Sequence, residues 1–286
     1  MRRGRQRNNL LLTSAHPSAN LCEKNPDMNR IKTAFAKKQK NLLNIYFTAG
    51  YPSLHDTVPI LKALSEAGAD LIEIGMPFSD PLADGPVIQQ SSTVALRNGM
   101  NLRVLFEQLK DIRQDVPETP ILLMGYLNPV MQFGVDNFCR EAAAAGADGI
   151  ILPDLPLDDY VAEYQDIFRR HNLRPVFLIT PQTAPERIRR IDELTDSFLY
   201  LVSGPGTTGG ANTQAEGVQE AYFQRIEAMN LRNPRLIGFG IGDKVSFQNA
   251  CQYAEGAIIG SAFIRALDGV DDAPAAAKRF VSSVLA

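Results

Sequence analysis

The chain has 286 residues, 45% of them apolar, and a formal net charge of −3 at neutral pH, enough material for one large domain or two small ones. It carries no basic stripe for nucleic acid, no polybasic patch for a membrane surface, and no run approaching the roughly 18 apolar residues of a membrane span. Its three cysteines, Cys22, Cys139 and Cys251, lie far apart with no CxxC pair, which argues against a disulfide framework or structural zinc and suits a reducing compartment such as the cytoplasm.

Residues 1–27 differ from the rest. They are Arg-rich at the start, then Ser/Asn/Pro-rich, without periodicity. They read as an extension outside the fold, either a product of an upstream start or a disordered tail. A targeting segment is the second reading, because no acidic residue occurs before Glu23. Residues 28–286 read as a single domain. Met28 opens a helix pattern with Ile31, Phe35 and Ala36 on one face.

Apolar, β-rich runs then alternate with amphipathic helices. The predicted strands are Leu43–Thr48, Leu71–Met76, Ile121–Tyr126, Gly149–Leu152, Pro175–Ile179, Phe198–Val202, Leu236–Phe239 and Ala257–Ile259. Predicted helices include Thr57–Ala67, Leu102–Gln114, Val135–Ala145, Asp159–His171, Pro185–Leu194, Gly217–Met229, Lys244–Tyr253 and a closing Pro274–Leu285. Gly68 and Gly146 follow their helices as C-cap signals, each leading through Ala-Asp into a strand. Eight such units predict an α/β fold of the closed parallel type, a (β/α)8 TIM barrel with an extra N-terminal helix. An open doubly wound sheet would want a Gly-rich fingerprint after its first strand, and Thr48-Ala49-Gly50-Tyr51-Pro52 lacks that spacing.

A barrel places function at the C-terminal ends of its strands. The stretch IEIGMPFSDPLADGP (72–86) puts Glu73 inside an apolar strand and Asp84 in the loop that follows. Strand parity groups Leu71, Glu73 and Gly75 on one face, and turning Ile72 and Ile74 toward the outer helices points Glu73 inward. No strand-interior cation accompanies it, but Tyr46, Tyr126 and Tyr200 lie on predicted strands. Desolvation without a cation raises a carboxyl pKa, which suits a proton donor near neutral pH. The plainer readings are a structural carboxyl bonded to a tyrosine for Glu73, and an Asx-type turn before Gly85 for Asp84. Asp80 and Asp154 are weaker candidates.

The last three mouth segments, GPGTTGG (204–210), GFGIG (238–242) and IGSA (259–262), are glycine-rich. They read as a phosphate seat built from backbone N–H groups, with Ser261 as a hydroxyl donor, or else as glycines that merely permit tight turns. No lysine falls inside a predicted strand, which disfavours a Schiff-base aldolase. His16, His55 and His171 lie away from the predicted mouth, which disfavours metal-assisted or histidine-based chemistry.

With these residues in place, the chain from about Met28 to Ala286 resembles the tryptophan synthase alpha subunit family. The match rests on IEIGMPFSDPLADGP, supported by FTAGYP (47–52), GYLNPV (125–130), TTGG (207–210), GFGI (238–241) and IGSA (259–262). The resemblance implies retro-aldol cleavage of indole-3-glycerol phosphate to indole and glyceraldehyde 3-phosphate, using neither metal nor Schiff base. It makes Glu73 and Asp84 the catalytic carboxylates. It puts Tyr46, Met124 and Tyr126 in the indole pocket, Tyr200 near the catalytic Glu as a further substrate-site residue, and Gly209, Gly240, Gly260 and Ser261 around the phosphate. Thr208 becomes the lid-loop threonine that meets the catalytic Asp. The resemblance also implies an αββα complex with a beta subunit that holds pyridoxal phosphate, leaving no cofactor in this chain. Asp80-Pro81-Leu82 and Asn128-Pro129 would then form the interface, although Asn128-Pro129 also reads as a simple turn. Gly204-Pro205-Gly206 departs from several members before the TTG motif, and Pro205 bears on lid motion. A stand-alone lyase releasing free indole, or an allosteric partner subunit without turnover, are the alternative functions.

Overall fold

A computed structural model describes residues 29–202 and 213–286. The predicted extension 1–27, Met28, and Thr208 and Gly209 lie outside the described residues. Eight parallel strands close into a barrel in chain order: β1 (Leu42–Thr48), β2 (Leu71–Gly75), β3 (Ile121–Met124), β4 (Gly149–Ile151), β5 (Arg174–Ile179), β6 (Leu199–Val202), β7 (Arg235–Gly238) and β8 (Gly256–Ile259). The helices are α1 (Arg30–Lys37), α2 (Thr57–Ala67), α3 (Pro86–Arg97), α4 (Leu102–Leu109), α5 (Ile112–Asp115), α6 (Leu127–Phe133), α7 (Val135–Ala144), α8 (Leu157–Asp159), α9 (Gln165–Arg170), α10 (Pro185–Leu194), α11 (Thr213–Ala228), α12 (Lys244–Tyr253), α13 (Ser261–Ala266) and α14 (Ala273–Leu285). The predicted TIM barrel with its extra N-terminal helix is therefore the observed fold.

Strands buried on both faces sort their residues by parity. Leu43, Ile45 and Phe47 of β1 and Ile72 and Ile74 of β2 pack outward, in the layer between barrel and helices. Leu42, Tyr46, Leu71, Leu122, Met124 and Tyr200 pack inward with one another. The extra helix closes the floor. Asn29 caps α1 by accepting from the Lys32 N–H at 2.9 Å. Ile31, fully buried, reaches the barrel axis beside Gly149, and the Phe35 ring lies 5.9 Å from that of Phe198.

An acidic residue just before a strand pins its neighbour at the floor. Gly68 and Gly146, both in the left-handed region, end α2 and α7 and turn the chain into Asp70 and Asp148. Asp70 accepts the Leu43 N–H of β1 at 2.8 Å, and Asp148 accepts the Ile121 N–H of β3 at 2.9 Å. Glu255 does the same for Arg235 of β7 at 2.7 Å.

Some boundaries differ from the pattern. The helix expected over 102–114 breaks at Lys110 into α4 and α5, which lets Arg113 reach the carbonyls of Val116, Thr119 and Gly146 and the Asp148 carboxylate. The helix expected over 159–171 begins as α8, then widens into a π-helical turn at Tyr160–Tyr164 before α9. There the buried Tyr160 ring packs edge-on against Phe168 and Phe177. Strand β3 stops at Met124, so Tyr126 caps a helix instead of lying on a strand. Asn128 and Pro129 lie within α6, not in a turn. Asp154 accepts from the Leu127 N–H at 2.9 Å, and Pro129 sits in the first turn, where its missing N–H costs nothing.

Candidate active site

The site begins with Glu73 in mid-β2. In register, Glu73 faces Tyr46 of β1 and Leu122 of β3, and its side chain is fully buried inside the barrel. Its hydrogen-bond partner is Asn44, whose Nδ2 donates to Oε1 at 2.6 Å. Tyr46 and Tyr200, expected as its partners, lie near enough for the Glu73 charge to raise their hydroxyls but do not take the place of Asn44 as its hydrogen-bond donor. Loss of solvent pushes the Glu73 carboxyl up to about 8, and the Asn44 bond only partly offsets this. Glu73 therefore carries a proton at neutral pH. Burial likewise drives the Tyr46 and Tyr200 hydroxyls well above the usual tyrosine range, so both remain neutral donors.

Glycines make room for these rings. A Cβ on Gly75 would stand 2.1 Å from the Tyr46 hydroxyl oxygen, and one on Gly238 would stand 2.5 Å from the Tyr200 ring. Asp84 closes the β2 loop beside Tyr126. The Tyr126 hydroxyl accepts from the Ala83 N–H at 3.0 Å and also bonds the Asp84 side chain. Partial burial lifts the Asp84 carboxyl to about 6, with the Tyr126 bond opposing the shift. The backbone of that loop is held to α3 by Gln89, whose Nε2 donates to the Asp84 carbonyl at 2.9 Å. Phe78 packs against Tyr126 with the rings tilted and 5.4 Å between their centres. Tyr46, Met76, Phe78, Asp84, Met124 and Tyr126 line one cleft of mixed polar and apolar character, with the Asp84 carboxyl among its walls.

Across the mouth, Gly240 has a left-handed backbone and an open surface, and Gly260 and Ser261 start α13. The ring of Tyr46 passes 3.3 Å from where a Gly260 Cβ would be, so Tyr46 borders both halves of the mouth. The weaker candidates have local roles. Asp154 bonds the Leu127 backbone, and Asp80 accepts from the Ser79 hydroxyl at the surface. His171 pairs with Asp136 on the outer helices. Asn44 is the residue that the sequence reading missed. The signal was present, since it is a polar residue in an apolar strand, in phase with Tyr46, and the same reasoning had selected Glu73.

A family model described as tryptophan synthase alpha chain matches residues 32–284. The chain belongs to the tryptophan synthase alpha chain family. A Bacteroides fragilis tryptophan synthase alpha chain is 55% identical over 240 residues, covering 84% of this chain and 90% of the relative. One from Flavobacterium psychrophilum is 52% identical over 257 residues, covering 90% and 100%. The crystal structure of tryptophan synthase subunit alpha from Legionella pneumophila superimposes with a TM-score of 0.80 at 34% identity, covering 90% of this chain and 97% of that one. As a tryptophan synthase alpha chain it is a lyase of tryptophan biosynthesis, cleaving indole-3-glycerol phosphate to indole and glyceraldehyde 3-phosphate. Among the described residues no helix is long and apolar enough to cross a membrane.

Proposed function

We propose that Glu73 and Asp84 carry this retro-aldol cleavage, working within residues 28–286 of a cytoplasmic protein. The observation that carries the assignment is a fully buried carboxyl inside the barrel, opposite Tyr46 of the cleft wall, where desolvation pushes it up to about 8. Protonated Glu73 gives its proton to indole C3, and the ring becomes iminium-like. Asp84, ionised above about pH 6, stabilises or takes the indole N–H proton as that charge develops. The Glu73 carboxylate then removes the proton from the glycerol hydroxyl next to the breaking bond. The O–H pair forms the new carbonyl, the C–C pair returns to the ring, and Glu73 ends protonated as it began.

Tyr46, Met124, Tyr126 and Tyr200 hold the indole. Gly209, Gly240, Gly260 and Ser261 seat the phosphate, and Thr208 meets Asp84 when the loop closes. The seat works through backbone N–H groups and one hydroxyl, because Lys244 is the sole Lys or Arg in or immediately beside the three glycine-rich segments.

The product indole passes to a tryptophan synthase beta subunit in an αββα assembly. Leu82, 93% exposed, and Met131, 54% exposed, lie on the β2 loop and on α6 at the mouth, which supports this face as the docking surface. Pyridoxal phosphate is assigned to that partner.

Indole release from indole-3-glycerol phosphate, measured with the purified chain alone and with a beta subunit, tests this. Slow turnover alone and strong activation by the partner are expected. Fast turnover alone would make the chain a stand-alone lyase. Substrate binding without turnover would overturn the roles of Glu73 and Asp84.

A further inference from the structure

Asn44 takes no part in the reaction just described, yet it occupies a costly position. It is fully buried in the barrel, on β1, directly opposite Leu71 of β2. Glu73 lies two residues further along β2, opposite Tyr46, so Asn44 sits one inward layer nearer the floor. Its cross-strand neighbour Leu71 belongs to the apolar inward-facing cluster, together with Leu42 below it and Leu122 opposite Glu73. An amide buried there is desolvated, and only part of it is satisfied. Nδ2 donates to Glu73 Oε1 at 2.6 Å, whereas Asn44 Oδ1 has no partner among the described residues. The second carboxyl oxygen, Glu73 Oε2, is also buried and has no partner among the described residues. The two oxygens of Glu73 are thus chemically distinct before substrate arrives.

We propose that Asn44 is a positioning residue for Glu73, its amide holding Oε1 as an acceptor so that the transferable proton resides on Oε2, the oxygen left free for substrate. This rests on Glu73 being the proton carrier of the reaction. An amide N–H can only donate, so a proton on Oε1 along that line would leave two donors facing each other. The proton therefore occupies Oε2. During turnover the Oε2–H bond breaks as the C–H bond at indole C3 forms. The carboxylate left behind keeps its Asn44 bond, and the glycerol hydroxyl proton then restores the O–H. No outside donor or acceptor is needed. Because the bond favours the ionised carboxyl, Asn44 also limits how far burial raises the group and keeps Glu73 a competent acid.

Asn44→Leu, similar in volume but without a donor, tests the role. The alkaline limb of kcat/KM should move up by about one pH unit, the scale of losing one hydrogen bond to a charge. kcat should fall about tenfold, and KM should stay within about twofold. A merely structural amide would lower the thermal midpoint and leave the limb in place, which would overturn the proposal. A second measurement needs no variant. In the wild-type chain the 15N-labelled side-chain amide of Asn44 should titrate with the Glu73 carboxyl, followed by 13C, at one shared midpoint. An amide signal that ignores Glu73 would equally overturn the proposal. Failure of the wild type to release indole would defeat the catalytic reading instead, and the titration would still decide the Asn44–Glu73 coupling.

Discussion

The hydroxyl of Tyr46 occupies the space that a side chain on Gly75 would need, with 2.1 Å between its oxygen and the position of a Cβ there. Residue 75 lies two positions beyond Glu73 on the same inward face, so a tyrosine at 46 and a glycine at 75 are one packing choice. Gly75→Ala forces the buried Tyr46 ring to move. Overpacking of this kind costs about 1–3 kcal/mol and should also raise KM by displacing a wall of the cleft. In a Tyr46→Ala background the same substitution should cost little. Urea midpoints of the four proteins measure the coupling. Additive losses would show that Gly75 is not reserved for Tyr46.

The two carboxyls set a pH window. Asp84 must be ionised and Glu73 protonated for the proposed chemistry. Their positions at about 6 and about 8 place the productive form between those values. kcat/KM should rise through about pH 6, level, and fall through about pH 8. Asp84→Asn should abolish the acid limb along with most of the rate. A rate that is flat to pH 9 would mean that Glu73 does not act as the acid.

Glu73 also links pH to stability, with a definite sign. Its folded position near 8 lies above the ordinary glutamate value of 4.5, so the folded state holds a proton that the unfolded state releases. The stability contributed by the protonated group is fully present below about pH 4.5 and is lost as pH rises through about 8. Glu73→Gln keeps an acceptor for Asn44 and removes the titration. The variant should match the wild type near pH 4.5 and exceed it by a few kcal/mol above pH 8, while kcat falls by several orders of magnitude with KM little changed. Denaturant titrations at the two pH values, with kinetics on the same samples, check both halves. Equal stability at high pH would place the Glu73 pKa near its ordinary value.

Much of this was legible in the chain. Period-two parity on β2 showed which way Glu73 points, because Ile72 and Ile74 leave it one direction. The repeated Gly-Ala-Asp at 68–70 and 146–148 marked both helix ends and the acidic residues that pin β1 and β3. Other features are set by tertiary contacts. Seven-residue α6 and six-residue α13 are too short to show a helical period, and α6 depends on Asp154 from the neighbouring loop. The break between α4 and α5 follows from Arg113 reaching Asp148, 35 residues away. Asn44 was visible as a polar residue in an apolar strand, but its partner was fixed only once β1 and β2 were in register.

The floor of the barrel should govern stability without touching turnover. Asp148 is 5% exposed and accepts from Arg30 Nη1 at 2.9 Å, from Arg113 Nη2, and from the Ile121 backbone at 2.9 Å. Three donors converge there on one carboxylate, joining α1, α5 and the start of β3. Asp148→Ala leaves the partly buried Arg113 guanidinium without its counter-charge and the Ile121 N–H without an acceptor. Removing one member of such a group costs about 3–5 kcal/mol. The urea midpoint should fall accordingly, and kcat measured well below the transition should stay within about twofold, because Glu73 lies at mid-strand and Asp84 beyond the C-terminal end of β2, away from the floor. A large loss of kcat in folded Asp148→Ala protein would mean that the floor and the mouth are mechanically coupled.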